Sequence, residues 1–248
     1  LRDILRGMVP HDYDMTTDAT PDEMLRIFAD FRVIPTGLAH GTVTVMSEGH
    51  PIEITTHRVD GSYLDARHPE TVSFTRALSE DLSRRDFTVN AMAYNRNNGL
   101  CDLFGGQEDL AAKTLRAVGD PETRFKEDAL RILRLFRFAS TLNFKIEENT
   151  FNAAIECSAL LQNVSRERIF EELKKAVLGD NFKIFAPLIE CGALKFLNIT
   201  DLPDFDKIKA LKEHPLLCLY LSLGTKALLE LKPSSAQKEY FKTLDVLL

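Results

Sequence analysis

Two neighbouring runs, GTVTVM (41–46) and PIEITTHRV (51–59), alternate apolar and polar residues with a period of two. That pattern predicts a pair of strands joined as a hairpin through SEGH. Upstream, TPDEMLRIF (20–28) reads as a helix, with Thr20 as N-cap, Pro21 in the first turn and Glu23 placed to close a capping box. TVSF gives a short strand, RRDFTVNAMAYN (84–95) mixes helix and strand cues, and CDLFGGQEDL (101–110) carries a Gly-Gly turn that closes a first domain. VDGSYLDARHPE (59–70) combines turn formers with charge and predicts a mobile loop. From about residue 120 the period becomes helical. DPETRFKEDALRILRLFRFASTL (120–142) starts at Asp-Pro and spaces Leu130, Leu133 and Phe136 for one helix. SRERIFEELKKAVLG (165–179) predicts a second helix from a Ser cap to Gly179, and the remainder is Leu-rich with helical period. The expected class is α+β: a mixed α/β head with a small sheet, then an all-helical arm, without repeats or low-complexity segments.

A chain of 248 residues can bury a real core in one large domain or two to three small ones. No apolar run approaches the roughly 20 residues of a membrane helix, and no signal-peptide pattern opens the chain. A first residue of Leu rather than Met implies that residues precede it. Cys101, Cys157, Cys191 and Cys218 are widely spaced and form no CxxC, which suits buried thiols in a reducing compartment better than disulfides or zinc. The net charge of −6 argues mildly against a nucleic-acid partner, but its distribution matters more. Residues 1–95 hold nine arginines, no lysine and fifteen acids. Residues 124–145 then carry Arg124, Lys126, Arg131, Arg134, Arg137 and Lys145 against Glu127 and Asp128. An acidic head followed by a basic helix fits a metal-binding centre beside a surface for phosphates.

The candidate chemistry starts at HDYDM (11–15). On a strand, Asp12 and Asp14 share a face, with Cα atoms about 6.5–7 Å apart, and Tyr13 points away. Such carboxylates can converge on metal ions about 3.5–4 Å apart. An isolated D-x-D is more often a polar turn. Glu53 lies between Ile52 and Ile54, which should face the core while Glu53 faces the other side. Alone, it reads as solvent-facing. A D-x-D strand with a further acid on a hairpin strand is, however, the carboxylate pattern of the DNA polymerase β-like nucleotidyltransferases.

The sequence resembles the class II tRNA nucleotidyltransferases, the CCA-adding enzymes, which share their head with bacterial poly(A) polymerases. The resemblance runs in order through LRD (1–3), DYDMTTDATPDEM, IPTGLAHGTVTV, IEITTHR, DARHP, RRDFTVNAMA, DLFGGQEDL, RFKEDALRILRLFRF and SRERIFEEL. It implies a nucleotidyltransferase head (1–115), a helical neck that recognises the base (116–180) and a helical body (181–248), the RNA-binding tail being absent or truncated. Asp12 and Asp14 would bind catalytic Mg²⁺, as two ions, with Glu53 completing the carboxylate set. Arg2 and Arg85 would hold the incoming nucleotide, and Asp86 would accept from the ribose 2′-hydroxyl. Asp128 and Arg131, three apart, are expected to share a helical face. There Asp accepts from an exocyclic amine and Arg donates to ring nitrogens or a carbonyl oxygen, mimicking a templating base. Arg134 and Arg137 would also line the nucleotide site. Gly37, His40, Gly41 and the Gly-Gly turn read as structural, and Glu167 and Glu171 as surface charge.

The implied reaction is template-independent addition of C and A from CTP and ATP to the tRNA 3′ end, with release of pyrophosphate, in the cytoplasm. Other readings stay open: a poly(A) polymerase, an enzyme adding only A, and a non-catalytic RNA-binding relative. Poly(A) polymerases usually read EDPVRMLR where this chain has EDALRILR, and a CC-adding enzyme typically has a shorter flexible loop. A phosphohydrolase would need a water-activating His-Asp dyad, which the sequence does not offer. The sequence carries no signal of oligomeric state.

Overall fold

A computed structural model of the chain describes residues 1–10, 13–61, 72–201, 204–206, 211 and 213–247. The described residues form two compact units, divided after residue 110. Asp12 and most of the 59–70 loop therefore lie outside the described residues.

The first unit opens with helix α1 (Arg2–Leu5), followed by strand β1 (Asp14–Thr17) and helix α2 (Pro21–Ile27). Strands β2 (Arg32–Gly37), β3 (Thr42–Ser47) and β4 (His50–Thr56) complete a four-stranded sheet in the order β1-β4-β3-β2. β1 runs parallel to β4, whereas β3 is antiparallel to both its neighbours. The expected hairpin forms: Glu48 and Gly49 both have positive φ, 50° and 84°, the signature of a two-residue type I′ turn. The period-two pattern sorts the faces. Val43, Val45 and Ile54 are buried with Met24 of α2, and Ile52 packs against that cluster. Glu53 is exposed on the opposite face.

The capping box of α2 also forms, Glu23 N–H donating to Thr20 Oγ1 (3.3 Å) and Thr20 N–H to Glu23 Oε2 (2.7 Å). Thr20→Ala is expected to lower the unfolding free energy by about 1 kcal/mol, read as a shifted urea midpoint. The Thr20 backbone N–H first, and then Arg76, draw the Glu23 carboxyl down to about 2. A depressed acid stabilises the fold above its unfolded value of 4.5, and that stabilisation is lost as pH falls toward about 2. Glu23→Gln should flatten that part of an acid-unfolding curve.

The unit continues through β5 (Arg58–Asp60) and β6 (Val72–Phe74), an antiparallel pair, then α3 (Leu78–Ser83). The mixed segment 84–95 resolves into one 3₁₀ turn (Thr88–Asn90) and strand β7 (Met92–Asn95), which pairs with β8 (Gly99–Asp102). Helix α4 (Gly106–Ala111) follows. Gly106 is required by space, since a Cβ there would lie 2.3 Å from the Thr88 carbonyl oxygen. Asp102 caps this turn by accepting from the N–H groups of Gly106 (2.7 Å) and Gln107 (2.8 Å). The Gly-Gly turn is thus structural, as its sequence suggests.

The second unit is helical apart from a short parallel ladder of β9 (Thr114–Leu115) with β10 (Lys145–Ile146). Its helices are α5 (Pro121–Glu127), α6 (Leu130–Leu142), α7 (Glu148–Glu156), α8 (Arg166–Ala176), α9 (Ala186–Glu190), α10 (Pro215–Glu230) and α11 (Ser235–Leu247). Leu133, Phe136 and Phe185 are fully buried, with the Phe136 and Phe185 rings 5.6 Å apart. No helix among the described residues is long and apolar enough to cross a membrane.

Three expectations need correction. The single helix over 120–142 is two, because Asp128 is extended (φ −142°, ψ 102°) between α5 and α6. Its carboxylate accepts from Leu130 N–H at 3.1 Å, the local bond by which Asp competes with a helix interior. The helix from Ser165 ends at Ala176 rather than Gly179, and the Ser165 side chain makes no capping bond. Gly179 serves close approach instead: a Cβ would lie 2.2 Å from Ser140 Oγ. The four thiols are free, yet only Cys157 and Cys218 are buried, while Cys101 is half-buried and Cys191 exposed.

Candidate active site

In the first unit, β1 and β4 set Asp14 directly beside Glu53 in parallel register. Both are exposed, on the sheet face away from the α2 core. The same face carries Thr44, paired with Glu53, and the Thr42–Thr55 pair, whose hydroxyls bond at 3.0 Å. Among the described residues neither carboxylate has a hydrogen bond or a basic partner. Two adjacent, unneutralised carboxylates form a hard oxygen donor set that suits Mg²⁺, so the residues present fit such an ion. Among the described residues no cluster of three or more candidate ligands occurs, Asp12 lying outside them.

Arg2 and Asp86, distant in sequence, are joined through Asn90. Arg2 Nη1 donates to Asn90 Oδ1 (2.7 Å), and Asn90 Nδ2 donates to Asp86 Oδ1 (3.1 Å). Arg2 is also gripped by Asp3 through Nε and Nη2, both at 3.0 Å. Burial pushes the Asp3 carboxyl up, but Arg2 and Arg6 outweigh it and hold the group below its ordinary value.

Arg85 depends on Asp81, a fully buried carboxylate. Arg85 Nη2 donates to Asp81 Oδ2 at 2.9 Å, and Arg84 Nη2 to Oδ1 at 2.6 Å. Burial would raise this carboxyl, yet the charges of Arg85 and Arg84 hold it low and ionised. The i,i+3 and i,i+4 spacing of Asp81 to these arginines was the signal available in sequence.

In the second unit, the expected shared face of Asp128 and Arg131 does not form, because Asp128 precedes α6 rather than belonging to it. Asp128 instead takes a two-pronged pair from Arg168 of α8, at 2.7 and 3.3 Å. Arg131 donates to Glu127 Oε2 at 2.5 Å, and Glu127 also takes Arg124 at 2.5 Å. Glu172 of α8, only 6% exposed, accepts from Arg137 Nε at 2.5 Å and lies 3.9 Å from Arg134. The basic run is therefore threaded with carboxylates. Local spacing gives no signal for Glu172 and Arg168, because their partners lie 35 and 40 residues away.

Residues 1–116 match the poly A polymerase head domain, and residues 143–208 match the probable RNA and SrmB-binding site of polymerase A. The chain is 49% identical over 217 residues to a CCA-adding enzyme of Lactococcus lactis subsp. cremoris, covering 86% of this chain and 52% of that one. It belongs to the tRNA nucleotidyltransferase/poly(A) polymerase family. A CCA-adding enzyme of Streptococcus gordonii is 46% identical, over 79% of this chain and 49% of its own length. The chain thus spans about half the length of the curated relatives it matches. Among solved members of the family, the Bacillus stearothermophilus CCA-adding enzyme in complex with CTP superposes with a TM-score of 0.80 at 31% identity. That match covers 98% of this chain and 62% of the other. A tRNA nucleotidyltransferase complexed with a primer tRNA and an incoming ATP analog gives 0.75 at 28% identity, covering 99% and 78%.

Proposed function

We propose that this chain catalyses template-independent addition of C and A nucleotides from CTP and ATP to the 3′ end of tRNA, releasing pyrophosphate. The observation that carries the reading is the side-by-side Asp14–Glu53 pair on an exposed sheet face, unneutralised among the described residues. Asp12, Asp14 and Glu53 would hold two Mg²⁺ ions, which when bound supply Lewis acidity to the attacking hydroxyl and the triphosphate. Arg2, pre-oriented by Asp3, binds the triphosphate with a planar donor fork, and Arg85, held by Asp81, binds the nucleotide. Asp86 accepts from the ribose 2′-hydroxyl. An unpaired buried acceptor is costly, so a deoxynucleotide is disfavoured.

Asp128 and Arg131 read the base, each held by its own partner, Arg168 and Glu127, so their polar groups keep a fixed direction. Arg134 and Arg137, buttressed by Glu172, are further nucleotide-binding residues. The head (1–115) thus supplies the chemistry, the neck (116–180) the base choice and the body (181–248) part of the RNA grip. With tRNA, CTP and ATP as reactants, the working compartment is the cytoplasm. RNA binding through phosphates should weaken as salt rises.

The test uses tRNAs lacking the whole terminal CCA, its last two nucleotides or its last adenosine, each with Mg²⁺ and CTP or ATP, and sequences the products. Completion of CCA supports the proposal. A long A tract identifies a poly(A) polymerase, A alone an A-adding enzyme, and no incorporation a non-catalytic relative.

A further inference from the structure

Asn90 ends the 3₁₀ turn Thr88–Asn90 and uses both ends of its side-chain amide. The carbonyl accepts from Arg2 and the amine donates to Asp86. That orientation is fixed by chemistry. A guanidinium offers only donors and an ionised carboxylate only acceptors, so a flipped amide would oppose like with like at both contacts. Asp86 Oδ1 takes a second bond from the N–H of Phe87 at 2.8 Å, and the residue is 8% exposed. One carboxylate oxygen is therefore held from two directions.

We propose that Asn90 is a positioning residue that sets sugar selectivity: it fixes the plane of the Asp86 carboxylate toward a ribose 2′-hydroxyl and ties that aim to Arg2. The inference rests on the roles given above to Asp86 and Arg2. A carboxylate locked at one oxygen presents the rest of its acceptor surface in one direction. One released from Asn90 can rotate to meet water or a neighbouring donor, and discrimination falls.

Two variants separate the arms. Asn90→Asp keeps an acceptor for Arg2 but replaces the donor to Asp86 with a like charge, whereas Asn90→Ala removes both contacts. Incorporation of CTP and dCTP is measured on the same tRNA with the same enzyme preparation, so partial unfolding lowers both rates equally and cancels from their ratio. Both variants should cut the CTP preference by about tenfold or more. KM for CTP should rise further in Asn90→Ala than in Asn90→Asp. An unchanged ratio in both variants, with equal loss on the two nucleotides, overturns the proposal. Asp86→Asn distinguishes the source of a failure. If it also leaves the ratio unchanged, the ribose role of Asp86 fails and the proposal falls with it. If it collapses the ratio while both Asn90 variants hold it, the role of Asn90 alone is overturned.

Discussion

Alanine at Asp14 is expected to cut nucleotide incorporation by about a thousandfold or more, with the thermal midpoint unchanged. Both halves follow from its place in the sheet. Asp14 is exposed and makes no side-chain bond among the described residues, and β1 is held to β4 by backbone pairing that a side-chain change does not touch. Removing it therefore takes away one of two adjacent carboxylates and little else. A group that supplies several kcal/mol of charge stabilisation to phosphoryl transfer is worth one decade of rate per 1.36 kcal/mol, hence the thousandfold figure, to order of magnitude. Glu53→Ala should act in the same direction, and the double variant should lose little more, because groups that act as a unit are not additive. Single-turnover incorporation of labelled CTP, beside a melting curve, measures both quantities. Activity within tenfold of the parent would remove Asp14 from the chemistry.

The parts of this molecule that could be read from the sequence are those whose causes are local. The β3–β4 hairpin follows from strict alternation, with Val43, Val45 and Ile54 on the core side and Glu53 opposite. The α2 capping box needs only residues 20–23. The break at Asp128 is local too, but helical spacing conceals it: the apolar period runs smoothly across a residue whose own side chain bonds Leu130 N–H and so ends the helix. What periodicity cannot supply is pairing at a distance. Arg2 meets Asn90 across 88 residues, and Asp128 meets Arg168 across 40. Strand alternation marks Asp14 and Glu53 as candidates and the resemblance adds the arginines, whereas the residues that hold several of them in place are joined to them only by the fold.

Glu172 is one of those holding residues, and its loss is expected to give a large stability change in the second unit. Glu172→Ala should destabilise the fold by about 3 kcal/mol, the cost of taking a buried carboxylate away from a largely buried guanidinium. The Arg137 and Glu172 side chains are only 13% and 7% exposed, their contact is 2.5 Å, and Arg137 lies over the Phe138 ring at 3.9 Å. The pair spans α6 and α8, so breaking it removes a charge-assisted bond that ties the two helices together. Glu172→Gln retains an oxygen acceptor and the side-chain volume and should cost less, about 1.5–3 kcal/mol for a lost charge-assisted bond. A double variant, Glu172→Leu with Arg137→Met, should recover most of the loss, since well-packed apolar residues often replace a buried ion pair at little cost. Urea unfolding of the three proteins tests this order. If Glu172→Ala unfolds within 1 kcal/mol of the parent, roughly the worth of an exposed pair, the bond is not the clamp its burial indicates. If the double variant is as unstable as Glu172→Ala, the cost lies in lost packing rather than in the lost Arg137–Glu172 pairing.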